Sequence, residues 1–326
     1  MAHISRKEYF AVQSKRKKRK KSRVIKIIFS IFLTLFLISG GVLLYSYYHV
    51  SKTFNALQSK SEVELKEVVD VRKEDVKVGH DSISILMLGL DTGEFERTDN
   101  GRPDIVLVLT LNPKTKKGIM TSIPRDTYTE LVGRGEKDKI NHAYAYGGIS
   151  MMINSVQKLL DIPIDYYVTV DMGGFTEIIN LIGGITLTPL ETFEQEGYFF
   201  VEGESQDMDG STALQYIRNR YTEKGDYGRQ ERARQVLGAI AEKVVNVNAI
   251  ANLGSYMSVV EKYVGTNVKL GDVQSMLGDV PAILKNLNIL QLKGAPLMLN
   301  DIYYEQINED SLLSVKNQLR ENLEIE

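Results

Sequence analysis

The sequence contains no cysteine. That excludes disulfides, thiolate nucleophiles and zinc–thiolate sites, and it suits the outer face of a bacterium that does not rely on disulfides. Histidine is scarce, with four in 326 residues, and none pairs with serine in a recognisable nucleophile motif. A phosphate loop of the GxxxxGK type is absent. With 43% hydrophobic and 25% charged residues, the chain is globular rather than disordered.

The net charge of −2 hides an asymmetry. Residues 1–26 carry eleven Lys and Arg against Glu8 alone, a net of +10, which leaves −12 on the remainder. An acidic folded part argues against nucleic acid as a partner. The basic run ends at IIFSIFLTLFLISGGVLLYSYY, residues 27–48, which is 22 positions without a charge. About 20 apolar residues span the hydrocarbon core as a helix. Tyr45, Tyr47 and Tyr48 stand at the far end, where aromatic rings favour the interface. SYYHVSKTF is a poor cleavage site, so an anchor is expected rather than a signal peptide. The expectation is a cytoplasmic tail (1–26), one transmembrane helix (27–48), a charged extracellular stalk (49–80) and a folded part outside the cell membrane.

From Ser82 onward, SISILMLGL (82–90), DIVLVLTLN (104–112) and GIMTSI (118–123) read as strands covered on both faces. SMMINSVQKLLDI (150–162) and GGFTEIINLIGG (173–184) read as helices, and DYYVTV (165–170) and ITLTP (185–189) as strands. GRQERARQVLGAIAEKVVNV (228–247) is an amphipathic helix. LNILQLKG reads as a further strand, and a helix near 310–322 closes the chain. The alternation predicts an α/β fold, a single α-β-α layered domain with a central mixed sheet. Its core would occupy residues 81–250, with 251–326 packed on or continuing it.

Polar groups collect just past the strand ends, where open α/β sheets hold ligands. Asp91 follows the first strand, Arg102 and Asp104 open the next, and Arg125 and Asp126 follow Pro124 in SIPRDTY. Lys139 lies in DKIN (138–141). Residues 214–235, LQYIRNRYTEKGDYGRQERARQ, hold five arginines and one lysine. Arg218 and Arg220, two apart, share no helix face, so they reach one ligand only where a helix ends. Ordinary readings stand beside each signal. Asp91 reads as a turn former, Asp126 and Thr127 as helix caps, Arg229 and Arg232 as an ion-paired helix face, and Arg234 as solvated. His142 reads equally as a packing residue or a base. Taken together, carboxylates without Cys or His partners suit Mg²⁺ or Mn²⁺, and arginine forks match phosphoryl oxygens. That is the equipment of phosphoryl transfer. Outside a membrane there is no ATP, so a phosphorylated substrate would arrive on an exported lipid carrier.

The stretches LGLDTG, GRPDIVLVLTLNPKTKKGIMTSIPRDTYTE, KDKINHAYAYGG, IPIDYYVTVDMGGFTEIINLIGGI and GSTALQYIRNRYTEKGDYGRQERARQ resemble, in order, the LytR-CpsA-Psr family of Gram-positive envelope enzymes. The resemblance covers roughly residues 82–247. It implies an apolar pocket for a polyprenyl tail, with the diphosphate and Mg²⁺ (or Mn²⁺) at its mouth. It also implies a phosphotransferase that moves teichoic acid, capsular or related polysaccharide from polyprenyl diphosphate to peptidoglycan. On this reading Asp91 and Asp104 hold the metal, and Arg125, Arg218, Arg220 and Arg229 clamp the diphosphate, with Arg102 and Lys139 in support. Asp226 orients arginines or acts as base. Pro103 and Ile105 replace the hydroxyl residues often found there, which makes Asp99 a rival metal ligand. Ala233 stands where the family usually has glutamine, with Gln235 two places on. Two other readings are a lipid-diphosphate pyrophosphatase using the same groups and a non-enzymatic envelope regulator.

Overall fold

Strands β1 (Ile83–Asp91) and β2 (Arg102–Asn112) pair antiparallel at the centre of the fold, from Ile83 opposite Leu111 to Asp91 opposite Arg102. The computed structural model describes residues 45–53, 72, 76–91, 101–246, 253–276 and 278–325. Six strands form one mixed sheet in the order β11-β6-β1-β2-β3-β12. Here β3 is Lys117–Ser122, β6 is Tyr166–Asp171, β11 is Val264–Thr266 and β12 is Leu287–Gln291. β6 runs parallel to β1 and β12 parallel to β3, while the other pairs are antiparallel. The edge strands β11 and β12 come from beyond residue 250, so the last quarter of the chain completes the sheet.

Alternate side chains of a strand face opposite sides. Leu86, Leu88 and Leu90 of β1 and Val106 and Val108 of β2 are buried with Met152, Ile153 and Val156 of α1 (His142–Leu160). The same cluster takes in Val315, Leu319 and Leu323 of the last helix, Glu309–Leu323. The alternate positions Met87, Gly89, Ile105 and Leu107 meet α2 (Met172–Leu181), α3 (Gly210–Arg218) and α4 (Gly225–Asn246). With helices on both faces, a largely antiparallel sheet carries the near-continuous apolar runs that usually mark parallel ones.

Local chemistry sets the helix ends. Asp171 caps α2 by accepting from Gly174 N at 2.7 Å, and Asp209 caps α3 by accepting from Thr212 N at 2.7 Å. Helix α1 begins earlier than its apolar pattern suggests and breaks at Gly147 and Gly148. Gly148 lies at φ 60°, ψ −155°, a conformation essentially reserved for glycine. The break separates a first turn carrying His142 and Tyr146 from the buried remainder. Four two-stranded ribbons stand beside the sheet among the described residues, and of their strands only the one at 185–187 was expected. They are β4 (Tyr128–Leu131) with β5 (Glu136–Lys139), β7 (Ile185–Leu187) with β10 (Gln206–Met208), β8 (Phe193–Gln195) with β9 (Tyr198–Phe200), and β13 (Gly294–Leu299) with β14 (Ile302–Ile307). Asp126 and Thr127 cap no helix, because the chain passes from Pro124 through a turn into β4.

The chain divides into two compact units, residues 1–50 and 51–326. No helix of the described residues is long and apolar enough to cross a membrane. Residues 27–44 of the expected anchor, most of the stalk and Asp99 lie outside the described residues.

Candidate functional site

A β-bulge builds the centre of the site. Gly89 pairs with Ile105 and Leu90 with Pro103, so Asp104 is the extra residue on β2 and stands outside the ladder. Its carbonyl is thereby free to accept from Arg229 Nη2 at 2.9 Å. Its carboxylate forms ion pairs with Arg229 Nη1 at 3.2 Å and with Arg125 Nη1. Arg125 also lies 3.4 Å from Asp126, which pairs with Lys139 at 2.7 Å. The turn carrying Arg125 is fastened by Thr127 Oγ1 donating to Pro124 O at 2.6 Å and by Asn141 N donating to Arg125 O.

Arg229 enters from the first turns of α4 and is 3% exposed. Asp226 approaches its Nη2 at 2.5 Å and accepts from Gln230 at 2.8 Å, while Arg229 Nε is buried without a partner. Burial pulls the Arg229 pKa below its ordinary value. Asp226 and Asp104 oppose that pull, and the charges of Arg125 and Arg220 add to it. Burial works in the same direction on Arg125, but Asp104 and Asp126 outweigh it and raise the pKa. The repulsion from Arg220 places that side chain within electrostatic reach of the cluster. Arg218 ends α3, and the extended Asn219 (ψ 135°) lets the chain leave the helix before Arg220. Neither makes an ion pair among the described residues. Both guanidinium charges therefore stand outside the ion pairs of the cluster.

Two arginines of the same stretch do other work. Arg232 is fully buried. It donates to Tyr216 O at 2.9 Å and Asn219 O at 2.5 Å and pairs with Glu191 at 2.6 Å, so it ties off the C-terminus of α3. The ion-paired surface face is thus corrected to a buried clamp. Arg234, read from sequence as solvated, is half-buried and donates to Ser122 Oγ at 2.6 Å.

Arg102 opens β2 and lies 3.5 Å from His142 Nε2, whose Nδ1 is 2.7 Å from Asp138. Asp91, opposite Arg102, is half-buried at the end of β1. Among the described residues no three His, Asp or Glu side chains converge as a complete metal shell. Mg²⁺ needs only one or two carboxylates beside phosphate oxygens and water. The two strand-end carboxylates Asp91 and Asp104 fit that donor chemistry. Asp126 and Asp226 also line a polar cavity of about 190 Å³ with Tyr227, Tyr303 and Glu305. There Glu305 is 5% exposed and accepts from Tyr227 at 2.5 Å and Tyr303 at 2.7 Å. Nothing local in the sequence marks Glu305, which arrives on β14 from the far end of the chain.

Beside the charges lies an apolar cavity of about 160 Å³. Met87, Gly89, Ile105, Val170, Ile217 and Leu237 are among its walls, and Ala233 lines it too. Two of the positions that depart from the family pattern, Ile105 and Ala233, are therefore pocket walls.

The profile of the LytR_cpsA_psr family matches residues 42–321. A teichoic acid transferase TagU of Bacillus subtilis (strain 168), named as acting from polyisoprenyl-teichoic acid to peptidoglycan, is 37% identical over 317 residues, 96% of this chain and 100% of its own. The crystal structure of B. subtilis TagU superposes with a TM-score of 0.60 at 37% identity, over 74% of this chain and 97% of that one. A structure of TagT bound to LIIa-WTA superposes at 0.67 with 29% identity, over 81% of this chain and all of that one. The chain belongs to the LytR_cpsA_psr family.

Proposed function

We infer that the protein transfers a teichoic acid or related glycopolymer from a polyprenyl-diphosphate carrier to peptidoglycan, on the outer side of the membrane that its N-terminal apolar run would span. The observation that carries this is the juxtaposition of pocket and charge at consecutive residues. Asp104 belongs to the arginine cluster and Ile105 to the apolar cavity, and Ile217 lines the cavity immediately before Arg218. A ligand with an apolar chain on a diphosphate matches that pairing, and the named activities of the TagU relatives agree with it.

In this reading Arg125, Arg218, Arg220 and Arg229 neutralise the diphosphate, with Arg102 and Lys139 at its flank. Guanidinium forks do this without giving up a proton. Asp226 holds Arg229 in place. Asp91 and Asp104 would hold Mg²⁺, which would supply further neutralisation of phosphoryl charge. Asp104 is paired with Arg125 and Arg229 in the structure, so an arriving diphosphate competes with it for guanidinium and frees its oxygens.

The test is an assay of the full chain with Mg²⁺, a polyprenyl-diphosphoryl saccharide and uncrosslinked peptidoglycan, read by mass spectrometry. A phosphodiester-linked saccharide on peptidoglycan, lost in EDTA and in Arg218→Ala, is the expected product. Free saccharide phosphate alone would replace the transferase with a pyrophosphatase.

A further inference from the structure

The His142 imidazole sits between a group that can only accept and a group that can only donate. Its Nδ1 lies 2.7 Å from Asp138 Oδ2, and its Nε2 lies 3.5 Å from Arg102 Nη1. An ionised carboxylate has no proton to give, and a guanidinium has no lone pair to offer. In the neutral ring the proton is therefore on Nδ1, donated to Asp138, and the lone pair is on Nε2, on the side of Arg102. Asp138 is in turn gripped by Lys139 N at 2.8 Å and Tyr146 OH at 3.5 Å. Both side chains of the pair are about four-fifths shielded from solvent. The glycine break after Tyr146 sets this first turn of α1 apart from the buried remainder of the helix.

Three carboxylates near the arginines already have partners. Asp104 is held by Arg125 and Arg229, Asp126 by Arg125 and Lys139, and Asp226 by Arg229 and Gln230. When the diphosphate draws Arg125 and Arg229 away, Asp104 is the acid left for Mg²⁺, while Asp126 keeps Lys139 and Asp226 keeps Gln230. His142 Nε2 has only a long contact to one guanidinium.

We propose that His142 is the general base of the transfer, accepting the proton of the attacking peptidoglycan hydroxyl at Nε2, with Asp138 as the residue that fixes its tautomer. This rests on the transferase reading above and revises the expectation that Asp226 serves as base. The hydroxyl oxygen forms a bond to the phosphorus that carries the glycopolymer, and its proton moves to Nε2. The bond from that phosphorus to the bridging oxygen breaks, and polyprenyl phosphate leaves with the electron pair. The imidazolium then faces Asp138, which stabilises its charge, across the ring from Arg102.

The experiment uses the full chain in detergent with Mg²⁺, a polyprenyl-diphosphoryl disaccharide and uncrosslinked peptidoglycan, over a range of pH. Wild type should give linked product with an acid limb in its pH profile. His142→Gln should lose roughly 10²-fold or more of the transfer rate, lose the limb, and bind the diphosphoryl lipid within about twofold of wild type. Asp138→Asn would donate to Nδ1, move the ring proton to Nε2, and should lose rate in the same direction with lipid binding kept. Melting curves establish that both variants fold, and either variant alone suffices for the test. A His142→Gln enzyme with wild-type rate and limb overturns the base and leaves the transferase intact. A loss of lipid affinity as large as the loss of rate also overturns it. A wild-type enzyme that makes no linked product removes the transferase reading and the base with it.

Discussion

Arg229 holds Asp104 at two points, through its carboxylate at 3.2 Å and through its backbone carbonyl at 2.9 Å. The second contact exists because the bulge leaves Asp104 out of the β1–β2 ladder. One guanidinium thus fixes both the position of a strand end and the orientation of its acid, while Arg125 takes the other side of the same carboxylate.

Asp104→Asn should therefore impair folding and chemistry together. A charged hydrogen-bond partner of a buried arginine is worth about 2–3 kcal/mol. Differential scanning calorimetry should show a lower Tm of corresponding size, and transfer should be undetectable even where the variant remains folded. A variant with unchanged Tm would mean that Asp226 alone suffices for Arg229.

The five arginines of residues 214–235 should separate by burial. Arg218→Ala and Arg220→Ala remove side chains that make no ion pair among the described residues, so stability should stay within about 0.5 kcal/mol. Transfer should fall by an order of magnitude or more, since oxyanion-stabilising groups are commonly worth that much. Arg232→Met should do the reverse of the first effect. It strands Glu191 and two carbonyls at the end of α3, and breaking such a buried pair costs roughly 3–5 kcal/mol. Urea titration of the three variants decides the matter.

How much of this was legible in the sequence follows from the range of each interaction. The three central strands, α2 and α4 carry their own periodicity, and the strand-end acids and the arginine segment announce themselves locally. Arg232 and Arg234 do not, because in one dimension a buried clamp and a solvated face have the same composition. The bulge at Asp104 depends on register between two strands. Glu305 and the edge strands β11 and β12 reach their partners only through tertiary contacts, across as many as 179 positions between Asp126 and Glu305 in one backbone hydrogen bond. The apolar cavity was readable only through the family, since pocket walls and core residues are the same amino acids.

Gly89 offers a direct test of that cavity. A Cβ there would lie 3.2 Å from the Ile105 Cβ, so Gly89→Val brings two methyl groups into the space between β1 and α2. Displacing about two buried methylenes' worth of ligand contact costs roughly 1.6 kcal/mol, or about tenfold in affinity. Isothermal titration should show weaker binding of a long-chain prenyl diphosphate, with binding of inorganic diphosphate unchanged. Equal losses for both would place the cavity outside the substrate site.

Acid stability should report the Asp138–His142 pair independently of any substrate. Burial works to raise the Asp138 pKa, but hydrogen bonds from His142 and Lys139 N hold it below its ordinary 3.8. A carboxylate depressed in the folded state stabilises the fold fully above its unfolded pKa, and that contribution disappears as the pH falls through the folded value. Tm should therefore fall below about pH 4, and less steeply in Asp138→Asn, which has no proton to take up there. The variant should start from a lower Tm at neutral pH, where the wild-type pair is intact, and the two curves should converge as the pH drops. Parallel curves would mean that the carboxylate is no better stabilised in the fold than in the unfolded chain, and Asp138 could not then hold the imidazole in one tautomer.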